Sequence, residues 1–172
     1  MTTRTSNFDF SVYNYQGKGE IKNLIHFIKE KNRQGIRVFI SYDRDRQSNS
    51  FNKNIKKKCK VEKIFGFKKD FESSFPPKIL KYTIEDYIKR YTKSKIKPSI
   101  NDIEGLLAKP QPFLKSFMEK YQIQINKTKL GNILGKVMAD VVNQHWNEIF
   151  NKKDKKKIFN FEIFEFLKFL IS

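Results

Sequence analysis

Two aspartates alternate with two arginines directly after an apolar run that is typical of a β-strand. Asp43 and Asp45 flank Arg44, and Arg46 follows them. Carboxylates at the end of a strand can hold a divalent metal ion, as they do in many nucleases. Side chains of opposite charge in such an alternation more often form exposed ion pairs on a loop. A small metal-dependent nuclease is therefore an alternative hypothesis, and the sequence indicates no catalytic set, no metal site and no cofactor.

The chain has one cysteine, Cys59, and two histidines. A disulfide within the chain is therefore excluded, and so is a closed zinc site built from Cys and His alone. The lysines beside Cys59 predict a lowered thiol pKa, but no histidine can be assigned as its partner. A single cysteine is typical of a reducing compartment, so we expect an intracellular protein of the cytoplasm, the nucleus or an organelle matrix. The most apolar stretch, residues 158–171, is too short and too polar to span a bilayer, so we expect no membrane partner.

Positive charge is the strongest feature of the composition. The chain has 36 Lys and Arg against 18 Asp and Glu, a net charge of +18, and residues 1–75 and 76–172 contribute equally to it. Such a field attracts polyanions, which favours nucleic acid, either DNA or RNA, as the partner. Codons rich in A and T also encode Lys, Asn, Ile and Phe, so the positions of the lysines carry more of the inference than their number.

The densest basic cluster of the first half lies at residues 53–69, where Glu62 is the one acidic residue and five of the lysines fall at 53–60. Three phenylalanines interleave with it, Phe51, Phe65 and Phe67, and aromatic side chains can stack on unpaired bases. Burial in a strand explains Phe65 and Phe67 more simply. We predict that the lysines of this cluster contact phosphate: Lys53, Lys56, Lys57, Lys58 and Lys60, with Lys63, Lys68 and Lys69 nearby.

The elements that must position these residues follow from hydrophobic periodicity. The first 75 residues predict a strand at 8–12, a helix over 20–32, a strand over 36–42, a polar loop over 43–54, and a strand over 61–67 that can pair with 36–42.

Pro76 and Pro77 mark a boundary, because proline cannot continue a helix or a central strand. Beyond it the pattern predicts helices over 79–91, 99–107 with Ser99 as N-cap, 113–121 and 127–150, then a charged turn at 151–157. Residues 158–171 suit either a strand or a helix. The expected fold class is α+β, with a small α/β portion at 1–75 and a mostly helical portion at 76–172.

The C-terminal half resembles the winged helix-turn-helix superfamily. The resemblance rests on a helix over 113–121, a link at 122–125, a polar start at 126–128, and a second helix that contains Leu130-Gly131-Asn132-Ile133-Leu134-Gly135-Lys136. A plain helical bundle also fits this pattern.

In that superfamily the second helix lies in the major groove and its N-terminal side chains meet the bases. The resemblance therefore implies that Lys127, Lys129, Asn132 and Lys136 face DNA, with Asn suited to adenine and Lys to guanine or phosphate. It also implies that the turn at 152–157 is the tip of a wing that contacts phosphate through Lys152, Lys153, Lys155, Lys156 and Lys157.

Three functions follow, in this order. The first is a non-enzymatic nucleic-acid-binding protein that grips phosphate through lysines and a helix-turn-helix-like element. The second is a subunit of a larger ribonucleoprotein, replication or telomere assembly held by protein–protein contacts. The third is the small nuclease that would use Asp43 and Asp45.

Overall fold

The described residues of the chain form two compact units. The computed structural model describes residues 21–43, 48–61, 63–150 and 161–171. The helical unit comprises the described residues of 1–38 and 46–62, and the mixed unit comprises those of 39–45 and 63–172. Helices dominate and a two-stranded sheet accompanies them, so the α+β fold class is confirmed. The strand expected at 8–12 lies outside the described residues.

The first helix of the helical unit, α1, spans Ile21–Arg33 and buries Leu24 and Ile28, as its amphipathic pattern predicts. It ends in two hydrogen bonds, from Gly35 N to the carbonyl oxygen of Asn32 (3.1 Å) and from Ile36 N to that of Lys31 (3.0 Å). This pairing requires a left-handed residue at the turn, and Gly35 supplies it with φ 73°.

The second helix of this unit, α2, spans Ser48–Lys58, so the expectation of a polar loop over 43–54 was wrong. Phe51 and Ile55 stand one helical turn apart, and both are buried. Burial of two apolar residues is enough to stabilise a helix whose other side chains are polar. Two residues are too few to reveal a helical period in the sequence. The basic run forms the last turn of α2, where cations interact favourably with the helix dipole.

The sheet of the mixed unit pairs β1 (Phe39–Asp43) with β2 (Lys63–Phe67) in parallel. Ile40 lies opposite Ile64, and Asp43 lies opposite Phe67. The predicted pairing is confirmed, with each strand shorter than its apolar run. Packing assigns both strands to the same unit as the C-terminal helices. The division of the chain into portions 1–75 and 76–172 stays a prediction.

The helices of the mixed unit follow in chain order, and α3 contacts both α4 and α6 around one hydrophobic core. The helices predicted over 79–91, 99–107 and 113–121 are confirmed, including Ser99 as the N-cap of α4. The single helix expected over 127–150 is interrupted, because His145 leaves the helical conformation (φ −123°, ψ 25°). The helices are α3 (Pro77–Tyr91), α4 (Ile100–Leu107), α5 (Phe113–Tyr121), α6 (Lys127–Gln144) and α7 (Trp146–Phe150).

The ambiguous C-terminal segment forms a helix, α8, which spans Glu162–Ile171. The ring of Phe65 on β2 lies 5.2 Å from that of Phe166 and 5.3 Å from that of Phe169. Phe67 is buried in the same layer. The interpretation of Phe67 as a core residue of a strand is therefore confirmed, and Phe65 is half-buried against α8.

Two adjacent residues of opposite charge hold the ends of two helices. Lys69 Nζ donates to the carbonyl oxygens of Leu107 (3.1 Å) and Lys109 (2.6 Å), at the C-terminal end of α4. The Asp70 carboxylate accepts from the backbone N–H of Phe113 (3.2 Å), the first residue of α5, and from Ser73 N (2.9 Å) and Oγ (2.8 Å). A cation thus meets a negative helix end, and an anion meets a positive one.

Replacement of Asp70 tests this arrangement. Asp70→Ala leaves the buried N–H of Phe113 without its acceptor, because the preceding Pro112 offers no capping side chain. We expect a loss of about 3 kcal/mol in the free energy of unfolding, measured by urea denaturation followed by far-UV circular dichroism. Asp140→Ala, on the exposed face of α6, is the control and should change that free energy by less than about 0.5 kcal/mol. Equal effects of the two variants would contradict the assigned role of Asp70.

Candidate nucleic-acid interface

The described residues of the helical unit are strongly basic. They include ten Lys and Arg and one acidic residue, Glu30, whereas those of the mixed unit include 17 basic and 12 acidic residues. Among the described residues, positive charge is therefore denser on the helical unit than on the mixed unit.

On α1 three of the four cations occupy one face. Lys22, Lys29 and Arg33 follow at i, i+7 and i+11, so they point in nearly the same direction, and all three are exposed. Leu24 and Ile28 lie on the opposite side and are buried. The sequence analysis did not select these three residues. The signal was present in their spacing, but they are separated in the sequence and form no dense run.

On α2 the lysines surround the exposed side of the helix. Lys53, Lys56 and Lys57 lie opposite the buried pair Phe51 and Ile55. The cluster predicted at 53–60 is therefore exposed in full, and it comprises Lys53, Lys56, Lys57, Lys58 and Lys60. We define the helical-unit surface as these five lysines together with Lys22, Lys29 and Arg33 of α1.

The two helices meet around Cys59. Its Sγ lies 3.8 Å from the carbonyl oxygen of Ile25, and Asn32 Nδ2 donates to the carbonyl oxygen of Lys60 over 2.6 Å. Burial raises the pKa of the Cys59 thiol, and the charges of Lys29 and Lys58 oppose that rise. The expectation of a lowered thiol pKa was wrong, because desolvation outweighs the two nearby ammonium groups. Lys29 of α1 and Lys58 of α2 are thereby shown to lie close to one thiol.

The described residues of the helical unit offer little neutralisation to the cations of this surface. Among the described residues, Lys22, Lys29 and the five lysines of the 53–60 cluster have no carboxylate within ion-pair distance. Like charges close together repel one another, which costs free energy in the isolated protein. A polyanion that neutralises several of them at once relieves this repulsion.

The second predicted surface is the outer face of α6. Leu130, Ile133 and Leu134 are buried, which turns the predicted DNA-contacting residues outward, and Lys127, Lys129, Asn132 and Lys136 are all exposed. The helix starts at Asn126, whose side chain accepts from Lys129 N (3.0 Å). All four residues are therefore exposed. Lys129, Asn132 and Lys136 share one face of the helix, whereas Lys127, its first residue, points in another direction.

Two of the four already interact with side chains of their own unit. Lys127 Nζ lies 3.7 Å from Glu72 Oε1, and its side chain remains 74 % exposed. The ammonium group of Lys129 lies 4.7 Å from the ring centroid of Tyr91. Lys129 can exchange its exposed ring contact for a phosphate, whereas Lys127 compensates the charge of Glu72, whose side chain is only 16 % exposed.

Three carboxylates of the mixed unit, Asp43, Asp70 and Glu72, lie at or after the ends of the strands. Burial raises the pKa of Glu72, and the charges of Asp70 and Asp43 raise it further. Asp70 is committed to Ser73 and Phe113. Within the described part of the chain no group of three His, Cys, Asp or Glu residues could hold a metal ion. Asp45 lies outside the described residues.

The expected wing cannot be followed in full. Its tip at 152–157, with Lys152, Lys153, Lys155, Lys156 and Lys157, lies outside the described residues. The chain after it is helical from Glu162 onward, where a wing would return as a strand. Lys68 and Lys69, named beside the first cluster, differ in role, because the ammonium group of Lys69 is committed to carbonyl groups near the end of α4.

None of the helices in the described ranges is long and apolar enough to cross a membrane. Comparison of the chain with protein-family models, with curated proteins and with solved structures found no match.

The environment of Cys59 makes a testable prediction about alkylation by iodoacetamide. Because only the thiolate reacts and burial raises the thiol pKa, we expect slow alkylation at neutral pH, with a rate that rises as the pH passes above the ordinary thiol range. Lys29→Gln with Lys58→Gln removes two charges that favour the thiolate and should slow the reaction several-fold at a fixed alkaline pH. The control pair is Lys53→Gln with Lys56→Gln, and similar slowing by both pairs would contradict the proximity of Lys29 and Lys58 to the thiol.

Proposed function

We propose that this chain is a non-enzymatic nucleic-acid-binding protein whose main phosphate-contacting surface is the helical-unit surface. One observation carries the proposal. The two described helices of that unit present many exposed cations to solvent, while their described residues include one carboxylate, that of Glu30. Nucleic acid is the cellular polyanion with closely and regularly spaced negative charges, so it can engage several of these cations together.

The arrangement suits the phosphate backbone rather than the bases. Lysine is a compact point charge on a flexible stem, and seven of the eight members of the surface are lysines. Such contacts fix affinity and orientation but carry no sequence information. The driving force is the release of counterions condensed on the nucleic acid, so binding must weaken steeply as salt is added.

The outer face of α6 is the proposed second contact, in keeping with the helix-turn-helix resemblance. Asn132 and Lys136 stand on its exposed side and are free to meet a base edge or a phosphate. A Cβ added at Gly131 or Gly135 would have no atom within 4 Å, so the helix backbone is open to close approach along this face. A winged-helix fold for the mixed unit remains part of the proposal.

A matched pair of triple variants tests the helical-unit surface. Lys53→Gln, Lys56→Gln and Lys57→Gln remove three of its charges, and the control removes three exposed charges of the mixed unit by Lys78→Gln, Lys109→Gln and Lys115→Gln. Fluorescence anisotropy with a labelled duplex, from about 50 to about 300 mM salt, gives the slope of log affinity against log salt. The first variant should reduce the magnitude of that slope by about 3, and the control should change it by less than about 1.

Two results would overturn the proposal. One is binding by the wild-type chain that does not depend on salt, and the other is an equal effect of the two triple variants. A chain that binds no nucleic acid of any form and forms aggregates when isolated would favour the alternative of an assembly subunit. Its support here is that Trp146, Tyr82 and Phe71 expose large apolar side chains.

A second pair of variants tests α6. Lys136→Gln should lower the salt slope for a duplex by about 1, as expected for one lost phosphate contact. Asn132→Ala should leave that slope unchanged and alter which sequences are enriched from a randomised duplex pool, because an amide reads bases rather than phosphates. Asn143→Ala, further along the same helix, serves as the control. Unchanged slope and unchanged enrichment would remove α6 from the interface.

A further inference from the structure

The segment between α3 and α4 carries a regular row of lysines that the sequence analysis did not select. From residue 92 to residue 98 exposure alternates along the chain, with Lys93, Lys95 and Lys97 exposed and the residues between and beside them half-buried or buried. We call these three residues the lysine row. Thr92 and Ser99, which flank the row, have extended backbone angles, and the chain bends at Lys93.

The inward side chains hold this segment in shape. Thr92 Oγ1 donates to the carbonyl oxygen of Ile88 (2.9 Å) and accepts from Ser94 N (3.2 Å). Ser94 Oγ in turn accepts from Ile96 N over 3.2 Å. The polar inward residues thus satisfy the backbone donors of a segment that has no strand partner, and the lysines stay on the outer side.

The far end of the segment is fixed by the start of α4. Ser99 and Asp102 form a reciprocal capping box, with Ser99 Oγ accepting from Asp102 N (3.1 Å) and Asp102 Oδ2 accepting from Ser99 N (3.0 Å). Both Thr92 and Ser99 have extended backbone angles. A row held at both ends presents its charges at a set spacing, and a binding partner is spared part of the entropic cost of ordering it.

No opposite charge accompanies the row. Residues 87–101 contain five cations and no Asp or Glu. Arg90 is paired with Asp86 (2.8 Å), whereas no carboxylate of the described residues lies within ion-pair distance of Lys93, Lys95 or Lys97. Codon usage can raise the number of lysines, but it does not select every second position of an extended segment.

An exposed aromatic ring stands at the start of the row. Tyr91 is 46 % exposed, its ring centroid lies 5.3 Å from that of Tyr87, and the Lys129 ammonium lies 4.7 Å from it. The Tyr87 hydroxyl accepts from Asn126 N (2.8 Å), which ties this corner to the first turn of α6. The corner therefore offers an aromatic surface, a further cation, and the three charges of the row.

We propose that Tyr91 and the lysine row bind single-stranded nucleic acid, with the row on successive phosphates of one strand and Tyr91 stacked on a base. A cationic track combined with an aromatic platform is how single strands are held without sequence readout. Two residues of extended backbone span about 6–7 Å, which is of the same order as the spacing of phosphates along an extended strand. A duplex keeps its bases stacked inside and leaves Tyr91 no partner. This inference rests on the proposed function and names the nucleic acid that the mixed unit selects.

The test uses the full chain and two labelled probes, an oligothymidylate of about 20 nucleotides and a duplex of similar length. The row variant is Lys93→Gln, Lys95→Gln and Lys97→Gln, and the charge-matched control is Lys78→Gln, Lys109→Gln and Lys115→Gln. For the single strand, the row variant should lose at least about tenfold in affinity at about 100 mM salt and reduce the salt slope by about 2. The control should change that affinity less than about threefold.

Tyr91 is tested in the same assay. Tyr91→Ala should weaken single-strand binding about tenfold, whereas Tyr91→Phe should retain it and Tyr82→Ala, at the other exposed tyrosine of α3, should have no effect. Circular dichroism of each variant establishes that it is folded. Neither Tyr91 variant should alter duplex binding.

Three results would overturn the inference: a row variant that behaves like its control, an equal loss for single strand and duplex with no effect of Tyr91→Ala, or a wild-type chain that does not bind the single strand. In each case the variant Lys53→Gln, Lys56→Gln and Lys57→Gln reports separately on the proposed function. If the salt slope falls in that variant and stays unchanged in the row variant, the proposed nucleic-acid binding stands and only the contribution of the lysine row is excluded.

Discussion

Opposite charges at adjacent positions, Lys69 and Asp70, hold the mixed unit together at the point where three of its elements meet. The ammonium group donates to the carbonyl oxygens of Leu107 and Lys109 at the end of α4, and the carboxylate accepts from the N–H of Phe113 at the start of α5. The helices cannot supply these partners themselves, since α5 begins after Pro112 and has no side-chain cap. The orientation of α5, and hence of the turn that leads into α6, depends on this contact.

Aromatic packing provides the second constraint on the mixed unit. The two short strands could not be stable alone, because an isolated pair of strands has too little apolar area to bury. Helix α8 covers β2 with Phe166 and Phe169 against Phe65. Glu162, the first residue of α8, accepts two hydrogen bonds from Lys68 N at the end of β2 (3.0 and 2.9 Å). The C-terminal helix therefore completes a layer that begins more than 100 residues earlier, at β1.

The two units differ in how far carboxylates compensate the charge of their cations. The mixed unit balances many of its cations with carboxylates, through exposed pairs such as Lys81 with Glu85 (2.7 Å) and Arg90 with Asp86 (2.8 Å). The described residues of the helical unit have almost none of this compensation. Two kinds of cationic surface result, a diffuse one on the helical unit and a short, ordered row on the mixed unit. Diffuse positive charge is typical of affinity that does not depend on nucleotide sequence. An ordered row of cations can follow the phosphates of one nucleic-acid strand.

The sequence by itself determined the amphipathic helices α1, α3 and α5, the start of α4 at Ser99, and the two apolar runs that pair as β1 and β2, because these depend on local periodicity, capping and β-propensity. It also identified the exposed lysines of the 53–60 cluster and the exposed residues of α6.

Only the tertiary structure decided the rest. Helix α2 forms because Phe51 and Ile55 are buried. The pKa of the Cys59 thiol rises because desolvation of the thiol outweighs the charges of two lysines. Lys69 does not belong to the charged surface, because its ammonium group donates to a backbone carbonyl oxygen. Each of these outcomes depends on residues distant in the sequence, and a local pattern carries no information about which distant groups come into contact.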